Sequence, residues 1–469
     1  MIIPNIISVF RKETEIFSKW FKAALVIGAA IYLMAWLFTI YLSSVQESRG
    51  ITPILPVFSK DSGSYAELSQ SIINDHSFVL NGKIETMLTP GYSFFVAVLK
   101  VVTGSYFGVT LIQIFLVFGS AIILRRIGQL FMSKQAGEIA AVFLIANPAT
   151  LAISLAILSD ILFLFLFISG FYLALSSVKE GMVFRVMIVS LLFGIAIYVR
   201  PMGVLAFPIF IVPFLASGLF LKEKIKSIGL MVILIVVVLS PWIIRNYALT
   251  GVADFSSFKA SNMSEFAIPM FLSYLNGTTV TQERDSFALT TGIPMSSWHD
   301  LRFSDALNKA SEKILLEHPF EYIWYQTSSS LPFLFSSTIE YASVFYRGAM
   351  HIQPKYVPGS MNFLLDGDWR SFFDSIFSVW WKVGERALWL ILYFFVVAGI
   401  WINRKKYSTW AFVFVILYLM FLAGPVGNAR YALPTLPFTF VLAAAGMINL
   451  LKNKHLGAFN SFFSGFAGR

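Results

Sequence analysis

Four solitary ionisable residues stand at the ends of apolar runs in this chain, and a carboxylate sits in a small Asp-Ser-Gly-Ser turn between two such runs. They are Asp61 in "VFSKDSGSYAELSQS", Asp160 in "AILSDILFLF", Arg200 in "YVRPMGV", Arg245 in "SPWIIRNYALTG" and Arg430 in "GPVGNARYALPTLP". A charged side chain at the centre of a span costs about 2.5–3.5 kcal/mol on insertion scales, so intramembrane charge marks function by default. Guanidinium groups offer permanently charged, bidentate recognition of phosphate oxygens. A nearby carboxylate can take the proton of an attacking hydroxyl. Together these parts describe a transferase that uses a lipid phosphate as leaving group. Taken singly, each Arg has a plainer role, snorkelling to lipid headgroups or capping a helix C-terminus. A common ligand explains the set.

The elements that carry these residues are membrane spans. Of 469 residues 57% are hydrophobic and only 13% charged, far from the roughly 25% charged expected of a soluble domain. Apolar runs of about 20 residues recur from end to end and leave no room for a separate soluble catalytic domain. The formal charge of +10 is dispersed in short clusters between apolar runs, which orients spans and argues against nucleic acid as a partner. The chain has no cysteine, which excludes disulfides, thiolate catalysis and Cys-ligated metal. The first apolar run, Ala23 to Leu42, is too long for a signal-peptide core and reads as a retained span.

The remaining predicted spans are Ser105–Leu124, Ala136–Ala152, Leu158–Ser177, Val186–Val199, Met202–Leu221, Ser227–Ile244, Ala387–Asn403, Ser408–Pro425 and Tyr431–Leu451. The fold class is therefore an all-α polytopic membrane protein with about ten transmembrane helices, or up to twelve. Every second connection is basic: Arg11 to Lys22, Arg125 to Lys134, Lys179 with Arg185, Lys222 to Lys226, Arg404 to Lys406, and Lys452 with Lys454. These connections and both termini are placed in the cytoplasm. Two long loops then face the other side, 43–104 with Asp61 and 245–386, rich in aromatic residues. Three regions result: a seven-span module over 1–252, a large extracytoplasmic loop over 253–386, and C-terminal helices over 387–469. Phe320–Phe335 and Phe372–Trp381 read as interfacial helices, re-entrant segments or two further spans.

These motifs, in this order, resemble the integral-membrane glycosyltransferases of the GT-C fold, in particular the branch with protein O-mannosyltransferases and the aminoarabinose transferases of lipid A. "KDSGSYAELSQSI" is similar to their acidic first outer loop, and "LTPGYSFFVAVL" to a Pro-Gly-Tyr-Pro segment, with Ser93 in place of the second Pro. "LSDILFLFLF", "YVRPMGVL", "PWIIRNYALTG", "ALNKASEKILLEHPFEYI" and "ARYALPTLPF" follow the pattern along most of the chain. The resemblance implies a GT-C-like bundle and inverting transfer of a sugar from a polyprenyl-phosphate donor to a glycan, lipid or protein acceptor. The expected setting is the outer face of a bacterial inner membrane.

By that resemblance Asp61 maps to the catalytic base, and Arg245, Arg430, Arg200 and Lys83 to the donor phosphate. Tyr65, Asp160, Tyr431 and Asn246 are candidates for substrate binding. Plainer roles stand beside these: Asp61 as N-cap of a helix beginning near Ser64, Lys83 as a solvated loop lysine, Tyr65 as a packing residue, and Asp160 paired with Arg200. Some GT-C enzymes use a divalent cation, but Asp61 and Asp160 are too few ligands to assign one. The five His residues lack the spacing of a helical zinc site. Rival readings are a ligase or polymerase with a lipid-diphosphate donor, and a secondary transporter, although no pseudo-symmetric halves are visible.

Overall fold

The computed structural model describes residues 17–53, 56–57, 59–176, 182–215, 220–349, 370 and 380–452. Arg11, Lys12, Lys179, Lys454, His351, His455 and most of the Phe372–Trp381 segment lie outside the described residues.

Each of the ten predicted spans coincides with an apolar helix. Six are long and apolar enough to cross a membrane: Lys19–Ser48, Tyr106–Phe131, Leu221–Thr250, Val383–Asn403, Tyr407–Val426 and Ala429–Leu451. A seventh is a bent pair, α5 (Lys134–Ala146) and α6 (Pro148–Ser154), kinked by 58°. The break falls at Asn147-Pro148, where proline cannot donate to the helical ladder and the Asn147 side chain accepts from the Thr150 amide instead. Pro90–Thr103, Asp160–Leu175, Val183–Val199 and Pro201–Leu215 are shorter apolar helices, so among the described residues six helices reach full spanning length singly. Lys19–Ser48 is mostly exposed along its length, as expected of a helix that faces lipid.

The first outer loop departs from expectation in a way that matters for Asp61. Helix α2 covers Lys60–Asp75 and starts four residues earlier than the sequence suggests. Ser59 is the N-cap, its hydroxyl accepting from the Ser62 amide, so Asp61 lies inside the first helical turn. A carboxylate there faces the positive end of the helix dipole. The chain then forms a two-stranded antiparallel hairpin, β1 (Val79–Leu80) and β2 (Lys83–Ile84), which an all-α reading omits. Its Asn81-Gly82 turn has φ of +50° and +72°, the left-handed pair of a type I′ turn. Helix α3 (Pro90–Thr103) returns to the membrane beside α2.

Three further helices position the site. α7 (Asp160–Ser176) begins at Asp160, and α8 (Met182–Val199) ends just before Arg200. Helix α10 (Leu221–Thr250) carries Arg245. The segment after α10 supplies a small satellite core of Ala260, Ile268, Phe287, Ile293, Trp298 and Leu307. It continues through the helix Pro319–Ser330 into a 3-10 turn over Leu331–Phe335. A twelve-residue helix over Thr338–Ala349, absent from the sequence-based scheme, packs back against α6. The C-terminal helices Trp380–Asn403 and Leu436–Lys452 cross at Gly399 and Gly446, where no Cβ fits. Small residues at such a crossing let two membrane helices approach closely.

Candidate functional site

Asp61, Asp160, Arg200 and Arg430, far apart in sequence, form one ionic quartet. Arg430 Nη1 donates to Asp61 Oδ2 at 2.6 Å and Arg430 Nε donates to Asp160 Oδ2 at 2.7 Å. Arg200 Nη1 donates to the other carboxylate oxygen of Asp160. The exposures are unequal: the side chain of Asp160 is 1% exposed, Arg200 10%, Arg430 13%, and Asp61 52%. Asp160 is therefore the buried counter-ion that holds two guanidiniums, while Asp61 faces solvent with one oxygen engaged.

Local sequence explains the placement. Asp160 starts α7, and the link before it is fixed by Gln113 Nε2, which donates to the carbonyls of Ser154 (3.0 Å) and Ala156 (2.7 Å). The Ile157 amide donates to the Pro56 carbonyl at 3.0 Å, tying this link to the chain shortly before α2. Arg200 stands where α8 ends ahead of Pro201. Arg430 lies in a short helix, Ala429–Ala432, whose N-cap Asn428 accepts from the Arg430 and Tyr431 amides. The Arg200 guanidinium stands 5.9 Å from the Phe163 ring and 5.8 Å from the Tyr431 ring.

Tyr65 is buried one turn after Asp61, and its hydroxyl donates to Ser159 Oγ at 3.2 Å. Burial pushes its phenol up, so it remains a neutral donor. Its ring meets Tyr92 edge-on at 4.7 Å, and the Tyr92 hydroxyl donates to Gln113 Oε1 at 2.7 Å. Tyr65, Tyr92, Gln113 and Ser159 thus connect the two carboxylate-bearing segments. Tyr92 and Ser159 fall in the segments that carry the resemblance, without an assigned role; Gln113 is not singled out from sequence, and a Gln inside an apolar run is the available signal.

Arg245 is not brought to the quartet. Its Nη1 donates to the Glu85 carbonyl at 3.1 Å and to Asn246 Oδ1 at 2.9 Å, and its guanidinium lies 4.4 Å from the Trp242 ring. It lines a groove of 790 Å³ together with Phe78, Ile84, Phe94, Trp242 and Leu249. Gly91 forms part of the wall because a Cβ there would stand 2.6 Å from the Tyr198 carbonyl. The next residue, Tyr92, contacts Tyr65. Lys83 is exposed in β2, directly before the groove-lining Ile84. Asn246 is fully buried, and its amide nitrogen donates to the carbonyls of Asp254 and Phe255, both at 3.0 Å. These bonds pin the loop after α10.

The segment around His299 docks on Thr86. The Thr86 hydroxyl donates to the His299 carbonyl at 3.0 Å and accepts from the Leu301 amide at 3.2 Å. His299 Nε2 and Glu265 Oε1 are 2.7 Å apart. That contact raises the imidazole above its ordinary value and lowers the Glu265 carboxyl. Burial raises the neighbouring Glu85 carboxyl. Among the described residues no group of three or more His, Asp or Glu could hold a metal ion. The two carboxylates considered for a divalent cation are bridged by Arg430 instead.

No protein-family profile matches the sequence, and no curated protein matches it. Among solved structures the chain is similar to the archaeal oligosaccharyltransferase AglB from Archaeoglobus fulgidus in complex with an inhibitory peptide and a dolichol-phosphate. That match has a TM-score of 0.49 and 13% identity, and covers 96% of this chain and 52% of the other. The chain thus spans about half the length of that oligosaccharyltransferase. It is also similar to ArnT from Cupriavidus metallidurans bound to undecaprenyl phosphate, with a TM-score of 0.40 and 14% identity over 90% of this chain and 76% of the other.

Proposed function

We propose that this integral membrane protein is an inverting glycosyltransferase that moves a sugar from a polyprenyl-phosphate donor to a hydroxyl of a glycan, lipid or protein acceptor. The observation that carries the reading is the quartet: a half-exposed carboxylate held by an arginine that a buried second carboxylate and a second arginine keep in place. Asp61 is the general base. It takes the acceptor hydroxyl proton as that oxygen attacks the sugar C1 from the face opposite the phosphate. The bond from C1 to the phosphate oxygen breaks with its electron pair on phosphate. Fixed cations aimed at that growing charge favour the transition state over the ground state. Arg430 and Arg200 stand nearest Asp61 for this purpose. Donor phosphate competes with Asp61 for Arg430 Nη1 and releases the carboxylate to act as base.

Arg245, with Lys83 next in sequence to the groove-lining Ile84, serves as the docking cation for the lipid headgroup, the chain lying along Phe94, Trp242 and Leu249. Asp160 orients Arg430 and Arg200, and Tyr65 and Tyr431 line the quartet. The site faces outward from a bacterial inner membrane, with both termini cytoplasmic. The test is sugar release from a panel of radiolabelled polyprenyl-phosphate sugars by purified protein in lipid, with a cell-envelope extract as acceptor. One donor is consumed by the wild type, while Asp61→Asn and Arg430→Ala lose turnover and remain folded. Full activity of Asp61→Asn, or turnover with lipid-diphosphate donors alone, overturns the assignment.

A further inference from the structure

The helix over Thr338–Ala349, here α16, is held by an unusual cap. Its N-terminal amides find their partner in Glu385, a buried residue of α17 (Trp380–Asn403). Glu385 Oε1 accepts from the Thr338 amide at 2.6 Å, the Thr338 hydroxyl at 2.8 Å and the Ile339 amide at 3.1 Å; the Ser337 hydroxyl donates to Oε2. The first amides of a helix lack intrahelical acceptors, and a carboxylate placed there also meets the positive end of the dipole. A side chain 4% exposed that accepts four hydrogen bonds across 46 to 48 residues of sequence fixes α16 to α17.

The residue this cap presents is Tyr341. α16 packs against the short helix Ala429–Ala432 that carries Arg430 and against α6, with Tyr341 in its first turn, partly buried against the main core. The Tyr341 hydroxyl has no hydrogen-bond partner among the described residues. Phe345, one turn further, is fully buried and anchors the opposite end of the helix in the main core.

We infer that Glu385 is a positioning residue: through the cap it holds α16 against the quartet so that the Tyr341 hydroxyl donates to an oxygen of the substrate bound there. This rests on the glycosyl-transfer reading for the identity of the substrate, but the geometry is testable without turnover. Burial pushes the Tyr341 phenol up to about 12, so it stays protonated over the working range and is a neutral donor.

The experiment places 3-fluorotyrosine at position 341 in the full chain in lipid nanodiscs and records its fluorine resonance. Hydrogen exchange over 337–349 is measured alongside. In the wild type the resonance shifts on Asp61→Asn and again on addition of undecaprenyl phosphate. In Glu385→Gln the Thr338 and Ile339 amides exchange roughly 10-fold faster or more, equivalent to about 1.4 kcal/mol of lost local protection, and the resonance ceases to respond to Asp61→Asn. Glu385→Asp partly restores both. Tyr341→Phe leaves exchange unchanged and lowers sugar transfer about 10-fold, and combining it with Glu385→Gln costs little more. A resonance indifferent to Asp61→Asn, or unchanged by Glu385→Gln, overturns the inference even in a protein that transfers sugar. Conversely, absence of transfer from every donor with the fluorine responses intact refutes the proposed function and leaves the positioning role standing.

Discussion

Asp61 and Asp160 contact the same guanidinium, yet substituting each by Asn has opposite consequences for stability and activity. Asp160 is 1% exposed and accepts from Arg430 and Arg200, whose side chains are 13% and 10% exposed. Asn keeps the volume and removes the charge, leaving two buried cations short of their counter-ion. Removing one partner of a buried ion pair costs about 3–5 kcal/mol. Asp61 is 52% exposed, and exposed ion pairs contribute about 0–1 kcal/mol after solvent screening. Asp160→Asn is therefore expected to lower stability by about 3–5 kcal/mol, and Asp61→Asn by about 1 kcal/mol or less. The assay is denaturant titration of the purified protein in mixed micelles, followed by tryptophan fluorescence, with sugar transfer measured on the same preparations. Asp61→Asn loses transfer with a near-wild-type midpoint, whereas Asp160→Asn shifts the midpoint before activity is considered. Equal midpoints for the two variants, or a larger shift for Asp61→Asn, would refute the division between structural and reacting carboxylate.

Gly91→Ala places a methyl 2.6 Å from the Tyr198 backbone and must part α3 from α8, at a cost of about 1–3 kcal/mol; a thermal melt with the groove empty reads it. Arg245→Ala weakens retention of undecaprenyl phosphate in a salt-dependent way while leaving the midpoint nearly unchanged, which a lipid-binding titration at low and high salt checks. For pH, His299 has a raised folded value, so its stabilisation is full below the ordinary His range and is lost as pH rises through the folded value. Glu265 has a lowered value, so its contribution is present above the ordinary Glu range and is lost as pH falls through the folded value. Stability is thus greatest between those ranges, and His299→Gln removes the decline on the alkaline side in a pH series of midpoints.

Much of the architecture was legible because membrane insertion depends on local composition. A run of about 20 apolar residues is readable without knowing its neighbours, and all ten predicted segments coincide with apolar helices. The start of α2 was misplaced because Ser59 and Asp61 are both competent near an N-terminus, and only hydrogen-bond geometry shows that Ser59 is the cap. The hairpin at Asn81-Gly82 carried a readable turn signal that was passed over in an otherwise helical chain.

The grouping of charges was the part that composition could not supply. Asp160, Arg200, Arg245 and Arg430 look alike as lone charges at span ends, because depth and sidedness follow from hydropathy and Lys/Arg bias. Which of them meet depends on how helices distant in sequence pack. That packing brings Arg430 between Asp61 and Asp160, 369 and 270 residues away, while it turns Arg245 toward Glu85 and a separate groove. The sequence by itself determined that the chain is a polytopic membrane protein with rare charges at its boundaries. Only the tertiary structure decided that Asp160 is the buried counter-ion, that Asp61 is the open carboxylate, and that Glu385 holds Tyr341 beside them. The physical reason is that burial and partner choice are properties of contacts between helices, whereas spanning is a property of each segment alone.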